Sequence, residues 1–125
     1  MPSAQFSDLI GKILSSVTVN EKNDQIRFEC KDGEVYLMFH DQDCCEHVVI
    51  DDISGNLKDL IGAKILSASE DVSIGVPESD DKYSEYSNTW TFYNIATRKG
   101  HVQIKWWGSS NGYYSESVDF KRMTI

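Results

Sequence analysis

The chain has 125 residues, a mass of 14.2 kDa and a formal net charge of −8. This length indicates a single domain over residues 1–125, and the hydrophobic content of 40% is enough for a packed core without metal or disulfides. The excess of acidic residues argues against direct binding to nucleic acid. No apolar run reaches the roughly 18 residues of a membrane helix, and the first residues lack the pattern of a signal peptide.

A short motif occurs twice, in Asp8–Ser15 and again in Asp59–Ser67. Each copy predicts a short helix, a glycine at its end and a following strand. The first helix has its apolar face between Phe6 and Ile10, and the second between Ile53 and Ile61. The repeat is compatible with two related halves of one domain. Coincidence is the alternative, because such junctions are common.

A β-hairpin is predicted after a short strand at Ser16–Asn20. The pair Asp32-Gly33 is typical of a two-residue turn, which would place Cys30 opposite Val35. The alternating apolar residues of both strands would then share one face. They are Ile26, Phe28, Cys30, Val35, Leu37 and Phe39.

A three-stranded meander is predicted at the C-terminal end, after a strand at Glu46–Asp51 and an acidic surface loop at Ser69–Asn88. Its strands are Thr89–Thr97, His101–Gly108 and Tyr113–Arg122. Odd-length loops with a glycine bulge would put most apolar side chains on one face. They are Trp90, Phe92, Ala96, Val102, Ile104, Trp106, Tyr114, Val118 and Phe120. The opposite face would carry Thr91, Tyr93, His101, Gln103, Lys105, Trp107, Tyr113 and Ser115. The predicted fold class is α+β, mostly antiparallel twisted sheet of about seven or eight strands with two short helices.

The first candidate site is the polar motif from His40 to His47. Its proposed ligand-binding residues are His40, Gln42, Asp43 and Glu46, which offer both donors and acceptors. Catalysis by a thiol and imidazole pair is disfavoured, because neighbouring acids oppose the thiolate of Cys44. Zinc is also disfavoured, because adjacent cysteines seldom share one metal. We therefore predict no catalytic residue, metal or cofactor, and reduced cysteines that pack inward.

The second candidate site is the aromatic motif from Trp106 to Ser115. Aromatic rings beside a Gly/Ser/Asn turn are typical of surfaces that stack on bases or contact proteins. The predicted contact residues are Tyr93, Trp107, Asn111 and Tyr113. Packing between sheets is the alternative role for these rings.

The third feature is a stretch of acidic residues after the second copy of the repeat: Glu70, Asp71, Glu78, Asp80, Asp81 and Glu85. The ordinary interpretation is a solvated loop. The sharper hypothesis is that these carboxylates mimic nucleic acid phosphates and fill a basic groove on a partner protein.

Several motifs together resemble one known family. They are Phe-His-x-Gln-Asp-Cys-Cys-Glu at 39–46, Asp-Leu-Ile-Gly at 59–62, Thr-Trp-Thr-Phe-Tyr at 89–93 and Trp-Gly-x-Ser-Asn-Gly-Tyr-Tyr-Ser-Glu at 107–116. The chain resembles, over residues 24–121, small uncharacterised proteins encoded mainly by tailed bacteriophages and prophages. The resemblance implies an accessory phage protein that acts in the cytoplasm of the host bacterium.

This context predicts a binding protein, not an enzyme, that counteracts a bacterial defence system by sequestering a small signalling nucleotide or similar ligand. Proteins of this kind are typically homo-oligomers. The alternative is an acidic protein inhibitor, similar to an anti-CRISPR protein or a DNA mimic, that blocks a basic groove on a host defence protein. Neither hypothesis involves a membrane.

Overall fold

The computed structural model describes residues 3–75, 87–110 and 114–123. Within these ranges the strands are β1 (Leu14–Val19), β2 (Gln25–Cys30), β3 (Val35–Phe39), β4 (His47–Ser54), β5 (Ser67–Gly75), β6 (Ser87–Thr97), β7 (Gly100–Ser110) and β8 (Asp119–Met123). Single turns of 3-10 helix, Phe6–Leu9 and Leu57–Leu60, precede β1 and β5. Among the described residues, no helix has the length and apolar character needed to span a membrane.

The strands form two antiparallel sheets of four, in the orders β1-β2-β3-β8 and β4-β7-β6-β5. The predicted antiparallel architecture and the number of strands are confirmed. The α+β class is wrong, because both predicted helices are only four-residue 3-10 turns. The backbone is already extended at Ile10 and Ile61, directly after each turn, and Ile53 lies in β4. The described residues therefore form a mostly-β fold.

The repeated motif corresponds to two halves with the same topology. Each half has a 3-10 turn, three consecutive antiparallel strands and a fourth strand that joins the other half's sheet. The two motifs meet reciprocally: Gly11 N–H donates to the Ile65 carbonyl at 2.8 Å, and Gly62 N–H to the Leu14 carbonyl at 2.9 Å. Both glycines adopt positive φ angles, +88° and +81°. The halves are thus joined by exchanging their last strands, β4 and β8.

One hydrophobic core lies between the two sheets. Trp106 and Tyr93 from the second sheet and Phe28 and Met38 from the first are fully buried in it. The Trp106 indole N–H donates to the Met38 sulfur at 3.1 Å, and Phe6 packs edge-on against Tyr93 and Phe28. Each large side chain buried in this way contributes roughly 1.5–3 kcal/mol.

The β2–β3 hairpin has a different register from the predicted one. Its loop has three residues, with Gly33 at φ +94°, and the pairs are Phe28 with Tyr36 and Ile26 with Met38. Gly33 N–H donates to the Cys30 carbonyl at 3.0 Å, which closes a turn followed by a glycine bulge. The extra loop residue reverses the facing of β3. Tyr36 and Met38 enter the core, whereas Val35, Leu37 and Phe39 lie on the other face.

The β6–β7 hairpin has a shorter loop than predicted, whereas the β2–β3 loop is longer than predicted. Its loop has two residues, since Thr97 pairs with Gly100, so the predicted odd-length loop is wrong. As a result β6 directs Thr91, Tyr93 and Ile95 inward, opposite Trp106, Ile104 and Val102. The predicted outward orientation of Thr91 and Tyr93 is wrong, and so is the predicted inward orientation of Trp90, Phe92 and Ala96. The inward facing of Val102, Ile104 and Trp106 is confirmed.

The predicted third strand of the meander does not pair with β7. Of the described residues 114–123, only Asp119–Met123 form a strand, β8, and it pairs with β3 in the other sheet. The predicted loop at Ser69–Asn88 is a strand at both ends, because β5 continues to Gly75 and β6 begins at Ser87. Between them, residues 76–86 lie outside the described part of the chain.

Candidate functional site

The His40–Glu46 motif forms the loop through which the chain crosses from β3 to β4. The loop is built around the carboxylate of Glu46, whose side chain is completely buried. This carboxylate accepts the N–H of Asp43 at 2.6 Å, the N–H of Cys44 at 3.1 Å and His40 Nε2 at 2.8 Å. These hydrogen bonds, the one from Asp43 foremost, lower the pKa of Glu46 to about 2. Glu46 therefore holds the loop together as a carboxylate.

The chain changes sheets at two crossovers, this loop from β3 to β4 and the segment from β7 to β8. The imidazole of His40 joins the first crossover to the second. Its Nε2 faces Glu46, and its Nδ1 lies 2.7 Å from the carbonyl oxygen of Ser117. Both partners are hydrogen-bond acceptors, so the imidazole bridges the two segments. The side chains of His40 and Glu46 are both almost completely buried. His40 and Glu46, which were predicted to bind ligand, have their polar atoms occupied by the protein itself.

The two cysteines of the loop are exposed, so the prediction that they pack inward is wrong. Cys44 and Cys45 lie in a bend, and a hydrogen bond with Cys44 raises the pKa of the Cys45 thiol. The same Cys44 thiol contacts the Tyr114 hydroxyl and raises its pKa to about 12. Because His40 is bonded to Glu46 and Ser117, it is not positioned to activate either thiol. In the described ranges, no three His, Cys, Asp or Glu side chains form a group that could hold a metal ion.

The second crossover, from β7 to β8, contains a buried carboxylate that the sequence reasoning missed. Glu116 accepts hydrogen bonds from the hydroxyls of Ser87, Thr89 and Ser110, the last two at 2.8 and 2.5 Å. Its position matches that of Glu46, because each glutamate lies shortly before the strand that changes sheets. The sequence does carry a signal for this match: Cys-Cys-Glu-His-Val at 44–48 parallels Tyr-Ser-Glu-Ser-Val at 114–118.

The two crossovers meet and form a polar cleft of about 340 Å³, the crossover cleft. Besides the His40 contact, the N–H of Asp41 donates to Asp119 at 2.9 Å. The cleft is lined by His40, Asp41, Gln42, Asp43, Ser115, Ser117 and Asp119. Three of these are aspartates, and none is lysine or arginine, so the cleft favours a cationic group over a phosphate.

The predicted Gln42 and Asp43 are exposed at this cleft. The Gln42 side-chain amide donates to the Glu46 carbonyl at 2.7 Å. The sequence therefore identified residues that lie close together in the structure. It assigned a ligand-contact role both to residues that hold the loop together and to residues that are exposed at the cleft. His40, Glu46 and the Gln42 amide hold the loop together, whereas the Asp43 side chain is exposed at the cleft.

The outward face of the second sheet carries an aromatic cluster. Trp107 and Trp90 are paired across β7 and β6, and Phe92 follows two residues along β6. All three are half-buried, and we call them the aromatic face. Trp107 donates to the Asn88 side-chain oxygen at 3.1 Å and lies edge-on to His47, at 5.7 Å between ring centroids. Sequence reasoning found Trp107 but missed Trp90 and Phe92, because the wrong loop length turned β6 over.

The other predicted contact residues are either buried, exposed on β5 or outside the described residues. Tyr93 is fully buried in the core and cannot reach a surface ligand. Asn111 and Tyr113 lie outside the described residues. Of the acidic set, Glu70 and Asp71 are exposed on β5. Glu78, Asp80, Asp81 and Glu85 lie outside the described residues.

Comparison with known proteins supports an uncharacterised family. Searches of curated proteins and of solved structures each found no match. A family model described as a domain of unknown function, DUF7448, matches residues 7–120. That match covers both halves and both crossovers. The chain therefore belongs to the DUF7448 family.

Proposed function

We propose that this chain is a non-enzymatic binding protein that attaches to a basic surface of a protein partner through its aromatic face. The observation that carries the proposal is the position of Trp90, Phe92 and Trp107 on the outward face of the second sheet. Core packing does not require these rings, since the other face of the sheet supplies the core. Half-exposed tryptophans on a flat face are typical of the centre of a protein interface.

The charge around the aromatic face indicates the chemistry of the partner. Asp71 pairs with Phe92 across β5 and β6, and Asp51 lies beside Lys105, with which it forms an ion pair at 3.2 Å. His47 connects this face to the crossover loop, because it follows Glu46 directly and contacts Trp107. With a net charge of −8, the molecule attracts a positively charged partner over a long range.

A biological setting for this binding follows from the resemblance to phage proteins. In this proposal the chain acts in the bacterial cytoplasm as an accessory phage protein, and its partner is a host defence protein with a basic groove. Phage plating on bacteria that carry the defence system tests this setting. Expression of the chain should restore plaques, and expression of the Trp107→Ala variant should not.

Capture of a small nucleotide remains a second candidate, favoured by the proximity of Trp107 and Lys105. A base stacked on an indole gains about 1–3 kcal/mol. Lys105 lies two residues before Trp107 on β7, on the same face of the strand, so its ammonium could contact a phosphate. Two features weaken this candidate: Asp51 neutralises the Lys105 ammonium in their ion pair, and the aspartates of the crossover cleft repel phosphate groups.

One experiment separates the two candidates. The purified protein, its Trp107→Ala variant and a Thr18→Ala control are incubated with bacterial lysate and analysed by native mass spectrometry. Thr18 is exposed on β1, in the other sheet. A protein-sized adduct that only Trp107→Ala loses, and that weakens as salt rises, supports the proposal. An adduct of a few hundred daltons with the same dependence supports nucleotide capture. Equal binding by all three proteins, or no adduct, contradicts the role of the aromatic face.

A further inference from the structure

Cys44 and Cys45 are adjacent in the sequence, and both are exposed in the first crossover. They lie in a bend between β3 and β4, outside any strand. In a strand, successive side chains point to opposite faces, which is why adjacent cysteines there seldom share one ligand. In this bend the two thiols are hydrogen-bonded to each other. The structure therefore brings two sulfur atoms together at the surface, where one ligand can reach both.

The backbone of this pair is held in place by neighbouring side chains. The Glu46 carboxylate accepts the Cys44 N–H at 3.1 Å. The Gln42 amide donates to the Cys44 carbonyl at 3.3 Å and to the Glu46 carbonyl at 2.7 Å. The Cys44 thiol also contacts the Tyr114 hydroxyl of the second crossover. These contacts fix the segment that carries the two cysteines, so the thiols are preorganised for a ligand.

A direct disulfide between Cys44 and Cys45 fits this loop poorly. The peptide that joins them is trans. Consecutive Cα atoms across a trans peptide are about 3.8 Å apart, whereas disulfides usually join Cα atoms about 4.4–6.8 Å apart. The Gln42 contact with the Cys44 carbonyl also opposes a twist of this peptide. One atom inserted between the sulfurs avoids this strain, because the sulfurs can then stay further apart than in a disulfide.

Two thiols without further ligands select a soft metal ion. Structural zinc takes four ligands, and the described residues contain no group of three His, Cys, Asp or Glu side chains that could hold a metal. Monovalent copper is soft, prefers thiolates and is satisfied by two of them. Asp43 is exposed beside the pair, and neither lysine nor arginine lines the adjoining crossover cleft. The surroundings of the thiols therefore favour a cation.

We propose that Cys44 and Cys45 form a chelating site for one Cu(I) ion. Two S–Cu bonds form, both thiol protons pass to water, and neither sulfur nor copper changes its oxidation state. The inference does not depend on the proposed function, because the thiols can bind a metal whether or not the aromatic face binds a partner. Trp107→Ala should therefore bind copper as the wild type does, so that failure of one proposal is distinguishable from failure of the other.

Titration of the reduced protein with Cu(I), without oxygen and against a coloured Cu(I) chelator of known affinity, tests the site. The wild type is expected to bind one ion per chain and to show the ultraviolet absorption of copper–thiolate bonds. Cys44→Ser and Cys45→Ser should each weaken binding about a hundredfold or more, because each leaves a single thiol without its chelating partner. Cys30→Ala is the matched control, since Cys30 is buried and its loss keeps both exposed thiols. Its copper affinity should equal that of the wild type.

The single variants also separate a chelate from two independent thiols. If each thiol bound copper alone, each serine variant would keep one site of unchanged affinity, and that result overturns the proposal. So does a wild type that yields all its copper to the chelator, or one ion shared between two chains in native mass spectrometry. Both cysteines are exposed, so the serine variants should keep the fold, which circular dichroism checks.

Discussion

The buried hydroxyl of Tyr93 leads to a specific prediction about stability. Tyr93 is fully buried, its ring packs on Phe6 at 4.8 Å between centroids, and its hydroxyl has no hydrogen-bond partner among the described residues. A buried hydroxyl without a partner costs about 1–3 kcal/mol. The substitution Tyr93→Phe keeps the ring and removes the polar atom. We therefore expect the free energy of unfolding to rise by about 1 kcal/mol or more.

Urea denaturation followed by tryptophan fluorescence measures this change, and Tyr36→Phe provides the control. Tyr36 is also buried, but its hydroxyl donates to Glu34 at 2.8 Å. Loss of that hydrogen bond should lower the free energy of unfolding by about 0.5–1.5 kcal/mol. The two substitutions should therefore act in opposite directions. A clear loss of stability in Tyr93→Phe would refute the reasoning, because it would show that the Tyr93 hydroxyl is bonded in solution.

Three further predictions concern the crossover loop, a glycine and the aromatic face. The lowered pKa of Glu46 means that its carboxylate stabilises the fold above about pH 4.5, and that this contribution is lost as the pH falls toward about 2. Glu46→Gln should therefore lower the free energy of unfolding at pH 7. It should also make that free energy fall less steeply between about pH 4.5 and 2. Gly55→Ala should cost about 2 kcal/mol or more by thermal unfolding, because the new Cβ would lie 2.4 Å from the His101 carbonyl at φ +101°. Gly11→Ala, at φ +88° but with open space around it, should cost only about 1 kcal/mol; equal losses would contradict the steric argument. Trp107→Ala should leave the circular dichroism spectrum unchanged while it abolishes partner binding, and a loss of fold would contradict the outward placement of this ring.

Local patterns were sufficient for four of the strands and for the repeated motif, but not for β5 or for the pairing of β8. Alternation of apolar residues located β2, β3, β6 and β7, because a half-buried strand has a period of two. The two Asp-Leu-Ile-Gly motifs marked the start of each half, because glycine readily adopts the positive φ that ends each 3-10 turn. The sequence also identified the polar motif that becomes the first crossover and the aromatic motif that runs from β7 into the second. Local patterns did not show which face of each strand is buried, nor which residues of the motifs hold the loops together.

The tertiary structure decided which face of each strand is buried and which strands are neighbours. A change of one loop residue reverses every side chain of a strand, and β3 and β6 both offer apolar residues on each face. Local pattern could not choose between Tyr93 and Phe92 for the core, because both rings suit either side. The choice came from packing against Phe6 and the first sheet.

Strand exchange was likewise decided only in three dimensions. Nothing local to β4 or β8 states that each pairs with the other half, since any strand edge offers the same backbone groups. The buried Glu46 and Glu116 acquire their meaning from this exchange, because each carboxylate accepts hydrogen bonds where the chain leaves one sheet for the other. The sequence by itself determined a mostly antiparallel sheet, a repeated motif, one polar corner and one aromatic motif. The long-range pairing of strands decided that these corners meet, that Tyr93 is buried and that Trp90, Phe92 and Trp107 face outward.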